Sequence, residues 1–163
     1  MAKENSFDVV VETDRQEVDN ALNQARTEIG QRVDFTGTGA DIAWWGDEVV
    51  ITANSVERAE AALGVFEDEL VKRDVSLKAL AHGDPEPAAN AAARITVSFL
   101  SGVPEDKATA LVSQIKASKL QVTPAIQGDK LRVSGKSKDA LQEAQALLRH
   151  NDQGLPLRFT NYQ

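Results

Sequence analysis

The stretch IQGDKLRVSGKSKD, residues 126–139, contains the signals for a strand, a turn, a second strand and a helix. Gly128-Asp129 is a two-residue turn signal of the kind that joins antiparallel strands. After the turn, Leu131 and Val133 alternate with basic and polar residues, so this strand has one apolar face and one cationic face. Ser137 stands where a helix N-cap belongs. The stretch therefore predicts a hairpin whose second strand leads directly into a helix.

The same stretch contains a Gly-Lys-Ser sequence, which is typical of the phosphate-binding P-loop of NTPases. That motif requires glycine, four further residues and then Gly-Lys-Ser/Thr. Here Gly128 lies seven positions before Gly135. The predicted strand occupies this interval, so the chain is extended where a P-loop curls around phosphate. An NTPase is therefore not predicted.

The hairpin has an earlier copy at an offset of 82 residues, where Gly46-Asp47 aligns with Gly128-Asp129 and Ser55 with Ser137. Hydrophobic spacing predicts a strand and a helix before each hairpin, and a helix and a strand after it. The order β-α-β-β-α-β, present twice, predicts an α+β protein with two tandem ferredoxin-like domains. The predicted domains are residues 1–82 and 94–163, and residues 83–93 are a predicted linker because they combine alanines with two prolines.

Charge is distributed unevenly along the chain. The net charge is −7, but residues 107–138 contain seven Lys or Arg and one Asp, a local charge of +6 that leaves −13 elsewhere. The overall charge argues against general binding along a nucleic-acid backbone, whereas the local excess favours an anion site. With no cysteine and two histidines, neither thiolate catalysis nor a histidine-ligated metal is expected. No signal peptide or membrane span is apparent, so we expect a cytoplasmic protein.

Segments over nearly the whole chain resemble the YajQ-like family of nucleotide-binding proteins. The matching segments are Ser6-Phe7-Asp8, Arg15-Gln16-Glu17-Val18, Val33-Asp34-Phe35, Lys72-Arg73-Asp74, Ile115-Lys116, Ser118-Lys119-Leu120, Ile126-Gln127-Gly128-Asp129, Arg132-Val133, Gly135-Lys136, and Phe159 with Asn161. The resemblance implies that the two domains exchange their first strands, with residues 6–12 in the sheet of the second repeat and 94–100 in that of the first. It also implies a cytoplasmic nucleotide-binding protein with no enzymatic activity. Some members are described as cyclic di-GMP effectors or RNA binders.

The chain departs from the family pattern where basic residues are usual. Thr36 follows Asp34-Phe35, and Ser98 and Leu100 precede Gly102 in place of lysines. Fewer cations at these positions predict weaker phosphate contacts there. The cationic hairpin of the second repeat retains its basic residues.

The candidate nucleotide-binding residues are Lys119, Gln127, Lys130, Arg132, Ser134, Lys136 and Lys138. The cations are expected to hold phosphates, and the amide and hydroxyl to add hydrogen bonds. The ligand is expected to be ATP, GTP or cyclic di-GMP, with no cofactor, metal or catalytic residue. Three alternatives stay open: an ordinary solvated face, an RNA-binding or regulatory adaptor, and a protein-interaction module that uses the tryptophan-bearing face of the first repeat.

Two aspartates and several aromatic residues also bear on these hypotheses. Asp129 is interpreted as a turn residue, whereas Asp8, inside an apolar strand, has the option of pairing with Arg132 across a sheet. Adjacent strand residues point to opposite faces, so one of Trp44 and Trp45 joins the core and the other lies on the open face. The cationic strand lacks the aromatics that stack bases in RNA-binding sheets, which leaves a tryptophan of the first repeat, or Phe159 or Tyr162, as the candidate stacking residue.

Overall fold

A computed structural model describes residues 4–163, so the first three residues of the predicted first domain lie outside the described part. The chain divides into two compact units, each with its own sheet and two helices. Within the described residues, unit 1 comprises 4–12 and 101–163, and unit 2 comprises 13–100. The prediction of an α+β protein is confirmed. Unit 1 is therefore assembled from the two ends of the described chain.

The described residues form nine strands and four helices. The strands are β1 (Asn5–Val10), β2 (Asp41–Trp45), β3 (Glu48–Ala53), β4 (Leu80–His82), β5 (Glu86–Pro87), β6 (Ala93–Phe99), β7 (Thr123–Gln127), β8 (Lys130–Gly135) and β9 (Arg158–Thr160). The helices are α1 (Arg15–Gln31), α2 (Val56–Lys72), α3 (Glu105–Ser118) and α4 (Lys138–His150). Short 3₁₀ turns lie at Val33–Phe35, Leu77–Ala79 and Ala89–Ala91.

Both sheets are antiparallel, and each has near its centre a strand that does not belong to its hairpin. In unit 1 the order is β7-β8-β1-β9, so β1 lies between β8 and β9. In unit 2 the order is β2-β3-β6-β4, with β6 between β3 and β4. Buried central strands need apolar side chains toward the helices, and β1 and β6 provide them at Phe7, Val9, Ile95 and Val97.

In unit 1, one face of the sheet is covered by helices and the other is open. Leu131 and Val133 of β8 are fully buried, and each lies opposite a buried residue of β1. Helices α3 and α4 add their apolar stripes to this core, including Leu111 and Leu148. The intervening residues of β8, which include Arg132, are only partly buried on the opposite face. The alternation predicted from the sequence therefore separates a core face from a cationic face.

The internal repeat is visible in the element boundaries. Strands β2 and β3 begin and end 82 residues before β7 and β8, and α2 begins 82 residues before α4. Both hairpins turn at a glycine with φ near 64°, Gly46 and Gly128, a left-handed conformation that glycine adopts at little steric cost. Ser55 caps α2 and Ser137 caps α4 through their side-chain oxygens.

Part of the predicted linker forms regular structure. Glu86–Pro87 makes the two-residue strand β5, which pairs with Ala93 and Arg94 of β6. Proline is tolerated there because β5 lies at the edge of the sheet. An ion pair of 3.5 Å between Glu86 and Arg94 accompanies the pairing. The sequence pattern did not predict this strand because two residues are too few to show an alternation.

The strand arrangement predicts where two matched substitutions act. Val9→Ala in β1 should destabilise the protein by about 2 kcal/mol, because it removes buried methyl groups and leaves a cavity. Its effect on amide hydrogen exchange should be largest in β8 and β9. Val97→Ala in β6 is the matched control, with its largest effect in β3 and β4. Faster exchange mainly in unit 2 after Val9→Ala would contradict the observed pairing.

Candidate functional site

All seven predicted binding residues lie in unit 1, at the β7–β8 hairpin or next to it. Gln127, Lys130, Arg132 and Ser134 lie on the open face of the sheet, because directly paired residues of adjacent strands share a face. The pairs Gln127–Lys130, Ala125–Arg132 and Thr123–Ser134 establish this arrangement. The hairpin therefore presents a strip of polar and cationic side chains opposite the core.

The remaining three candidates lie where β8 turns into α4, or in the segment that passes this turn. Lys136 and Lys138 are exposed on either side of the cap residue Ser137. Lys119 ends α3 in a left-handed conformation, φ 61°. The chain beyond it passes so close to Gly135 that a Cβ there would lie 2.9 Å from the carbonyl oxygen of Gln121. We call this group of three lysines, Lys119, Lys136 and Lys138, the cationic corner.

The centre of the open face is occupied by the carboxylate of Asp8. Its side chain comes from β1 and is only 3% exposed. Arg132 Nε donates to Asp8 Oδ1 at 2.9 Å, and Lys130 Nζ donates to Oδ2 at 3.2 Å. The Asp8–Arg132 pair, which the sequence left as one option, is thus present, and Lys130 joins it. These two cations already share a counter-charge, so the three groups together carry +1.

A fourth residue, Asn161, completes the Asp8 cluster. Its Nδ2 donates to Asp8 Oδ2 at 2.9 Å. Hydrogen bonding from Arg132 is the largest effect on the pKa of Asp8 and lowers it from 3.8 to about 2. Burial opposes this shift, and the bonds from Asn161 and Lys130 add to it. The carboxylate therefore stays ionised throughout the neutral range.

Asn161 reaches Asp8 because the last strand contains a β-bulge. Thr160 pairs with Asp8, and beyond it the backbone of Gln163 exchanges both hydrogen bonds with Ser6 at 2.9 Å. Two residues, Asn161 and Tyr162, therefore face the single residue Phe7. Asn161 has φ 52°, a left-handed conformation that asparagine tolerates better than most residues. The bulge directs Asn161 to the open face.

The bulge also sends Tyr162 to the opposite, helix-covered side of the sheet. The ring of Tyr162 lies 6.4 Å from that of Phe7, and its hydroxyl accepts a 3.4 Å hydrogen bond from Gln145 of α4. Phe159, the other predicted stacking candidate, packs edge-on against Phe7 at 5.5 Å and beneath Arg149. Tyr162 is 63% exposed. Of these two aromatics, it is the one with most of its ring free.

The three lysines of the cationic corner are among the cations of unit 1 that have no carboxylate partner within residues 4–163. Lys119, Lys136 and Lys138 form no ion pair with any of residues 4–163. A cavity of about 440 Å³ lies near the Asp8 end of the open face, but it is lined by the carboxylates of Asp8, Glu12 and Asp129, with Lys130 as its cation. An anion is repelled there and attracted to the corner.

Unit 2 lacks the cationic surface. Its 88 residues contain eight Lys or Arg and sixteen Asp or Glu, whereas the described residues of unit 1 contain nine of each. Trp45 is 76% exposed on the open face, while Trp44 turns inward and donates its indole N–H to Asp19 at 2.9 Å. The predicted division of the two tryptophans between the faces is confirmed. The family-atypical positions Thr36, Ser98 and Leu100 also lie in this acidic unit.

Two kinds of feature are absent from residues 4–163, a metal-binding cluster and a membrane-spanning helix. No group of three or more His, Cys, Asp or Glu side chains is placed to hold a metal ion. No helix in this part of the chain is both long and apolar enough to cross a membrane.

The described residues thus form a two-unit α+β protein with exposed lysines grouped on unit 1. The model of the family described as "Nucleotide-binding protein YajQ-like" matches residues 5–163, and the chain belongs to this family. A protein of Acidothermus cellulolyticus is 50% identical over 161 residues, one of Nocardia farcinica 47% over 161, and one of Streptomyces avermitilis 46% over 160. In each case 98% of both chains is covered, and each relative is named a nucleotide-binding protein.

The lowered pKa of Asp8 predicts how the free energy of unfolding depends on pH. Because the folded protein holds this pKa at about 2, ionised Asp8 contributes about 2 kcal/mol to the free energy of unfolding above pH 4, and this contribution is lost as the pH falls toward 2. Asp8→Asn should therefore be less stable than the wild type by about this amount at pH 7. The difference should shrink toward pH 2 in urea-unfolding measurements.

The matched control is Asp47→Asn, which removes a carboxylate in an exposed pair with Arg15. We expect this variant to change stability by less than about 0.5 kcal/mol at pH 7, since exposed pairs contribute little. A difference between Asp8→Asn and the wild type that does not vary between pH 7 and pH 2 would contradict the assigned role of Asp8.

Proposed function

We propose that the protein binds a nucleotide through unit 1, with the phosphates held by Lys136 and Lys138 and with Lys119 nearby. The observation that carries this proposal is the contrast between two sets of cations. Lys130 and Arg132 are partly neutralised by Asp8, whereas the corner lysines have no counter-ion among the described residues. Free ammonium groups beside a helix N-terminus favour a phosphate group.

The remaining predicted residues have secondary roles in this proposal. Gln127 and Ser134 offer hydrogen bonds along the open face, and Lys130 and Arg132 add long-range attraction because their cluster with Asp8 keeps one net positive charge. Two or three lysines suit a ligand with several phosphates, such as ATP, GTP or cyclic di-GMP. The proposed activity is binding without catalysis. The relatives support the binding part of this proposal, because each is named a nucleotide-binding protein.

We also propose that each unit is a ferredoxin-like domain with an exchanged first strand. The support is the strand order β7-β8-β1-β9 in unit 1 and β2-β3-β6-β4 in unit 2, each with two helices. In both cases the exchanged strand fills the position of the first strand of a β-α-β-β-α-β unit. The exchange keeps the cationic hairpin in the same sheet as Asp8.

An RNA-binding role is the second candidate, and the charge distribution makes it less favourable. The open face of unit 1 has no aromatic residue on β8, and the exposed Trp45 belongs to the acidic unit 2. RNA binding would engage many phosphates, so its affinity would fall steeply with salt. A mononucleotide or cyclic dinucleotide engages few phosphates and depends less on salt.

The test removes the two best-placed lysines together. In Lys136→Ala/Lys138→Ala, affinity for the nucleotide that the wild type binds should fall at least tenfold, because charge-assisted hydrogen bonds to phosphate are lost. Isothermal calorimetry against ATP, GTP, cyclic di-GMP and a short single-stranded RNA, at two salt concentrations, measures the change. Stability should change little, since both side chains are exposed.

The matched control is Lys107→Ala/Lys116→Ala, which also removes two positive charges, but from helix α3. It should retain most of the wild-type affinity. Arg132→Ala is a poor test because it leaves the carboxylate of Asp8 buried without its main partner. Equal losses in both double variants would show that net charge alone attracts the ligand, and would refute a site at the cationic corner.

A further inference from the structure

A second feature of unit 1 lies on the opposite side of the sheet from the Asp8 cluster. A cleft of about 470 Å³ opens between the start of β1, helix α4 and the end of the chain. Its lining includes Phe7, Lys138, Leu141, Gln142, Gln145 and Tyr162. Its volume falls in the range of small-molecule sites in proteins, and its combination of apolar walls with a few polar groups is typical of them.

Tyr162 gives this cleft an exposed aromatic surface. The β-bulge turns the residue toward α4, and most of its ring has no protein neighbour because the side chain is 63% exposed. Phe7 supports the ring at 6.4 Å. An exposed aromatic ring beside a cleft favours a planar ligand, because stacking removes two apolar surfaces from water.

Two glutamines on α4 provide hydrogen-bonding groups for the edge of such a ligand. Gln142 and Gln145 are three residues apart, so they lie on the same face of the helix. Gln145 is buried, with 8% of its surface exposed, yet its two hydrogen bonds, to Tyr162 and from Arg149, are both long at 3.4 Å. Each amide offers both a donor and an acceptor, as the edges of nucleobases do.

Lys138 connects the cleft to the cationic corner. It lines the cleft and is also the first residue of α4. From Lys138 to Gln145 the helix rises about 10 Å, a separation comparable to that between the base and the outer phosphates of a nucleotide. The phosphate-attracting and aromatic parts of unit 1 therefore lie at the spacing that one ligand requires.

We propose that this cleft holds the base of the bound nucleotide, stacked on Tyr162 with its edge at Gln142 and Gln145, while the phosphates lie at Lys136 and Lys138. This inference rests on the proposed function, because it assigns the base subsite of the same ligand. It gives the helix-covered side of the sheet, rather than its open face, the role of recognising the base.

The experiment uses the fact that Tyr162 is the only tyrosine in the chain. In protein labelled with ¹³C at the tyrosine ring, the ring signals should shift on addition of ATP, GTP or cyclic di-GMP, whichever binds, because a stacked base changes their magnetic environment. Inorganic tripolyphosphate has no base. It should bind at the lysines and leave the ring signals nearly unchanged.

Substitutions give the second measurement. Tyr162→Ala should weaken nucleotide binding about tenfold through the loss of stacking, and should leave tripolyphosphate binding within about twofold of the wild type. Tyr162→Phe keeps the ring and should recover most of the lost affinity. Trp45→Ala removes an exposed aromatic from unit 2 and serves as the matched control.

The possible results separate the two proposals. Nucleotide binding that requires Lys136 and Lys138 but neither shifts the Tyr162 signals nor weakens in Tyr162→Ala would overturn the base subsite alone. A wild-type protein that binds none of the three nucleotides would overturn both proposals. Shifted ring signals, with a loss confined to nucleotides in Tyr162→Ala, would support both.

Discussion

The buried carboxylate of Asp8 is the constraint on which unit 1 depends. It joins three strands that are distant in sequence, because its partners Arg132 and Asn161 come from β8 and from the residue after β9. A carboxylate without these partners is costly to bury. A shift of β1 by one residue would turn Asp8 into the apolar core. The ion pair therefore fixes the register of β1 more strictly than hydrophobic packing alone does.

The local features of the fold were predictable from the sequence, and the contacts between distant segments were only partly so. The alternation of apolar and polar residues over 130–135 predicts which side chains lie on each face of β8. The repeat at an offset of 82 residues predicts that the two hairpins have corresponding boundaries, as they do. The Asp8–Arg132 pair was one option among several, because alternation does not say which strand lies beside β8. The bulge at Asn161 was not predicted, because no local turn motif marks it. It depends on contacts with distant residues, namely Asn161 with Asp8 and Tyr162 with Phe7.

The duplication leaves two units of similar architecture and unlike surfaces. Glu48 and Val50 stand in β3 where Lys130 and Arg132 stand in β8. These two outward-facing positions differ in charge between the repeats, whereas the apolar residues that face the core are retained in both strands. Binding properties can therefore diverge between repeats while the packing is preserved, as expected when function is determined by surface residues on a retained scaffold.

The placement of β1 has a consequence for the order in which the protein is made. Synthesis produces β1 well before its partners β8 and β9, which begin at residues 130 and 158, so all of unit 2 is translated before β1 has its partners. During this interval the apolar residues Phe7, Val9 and Val10 lack their sheet neighbours and are exposed to association with other chains. Asp8 interrupts this run with a charge, and charged residues within apolar strands oppose aggregation. The same carboxylate that later orders the sheet thus protects the nascent strand.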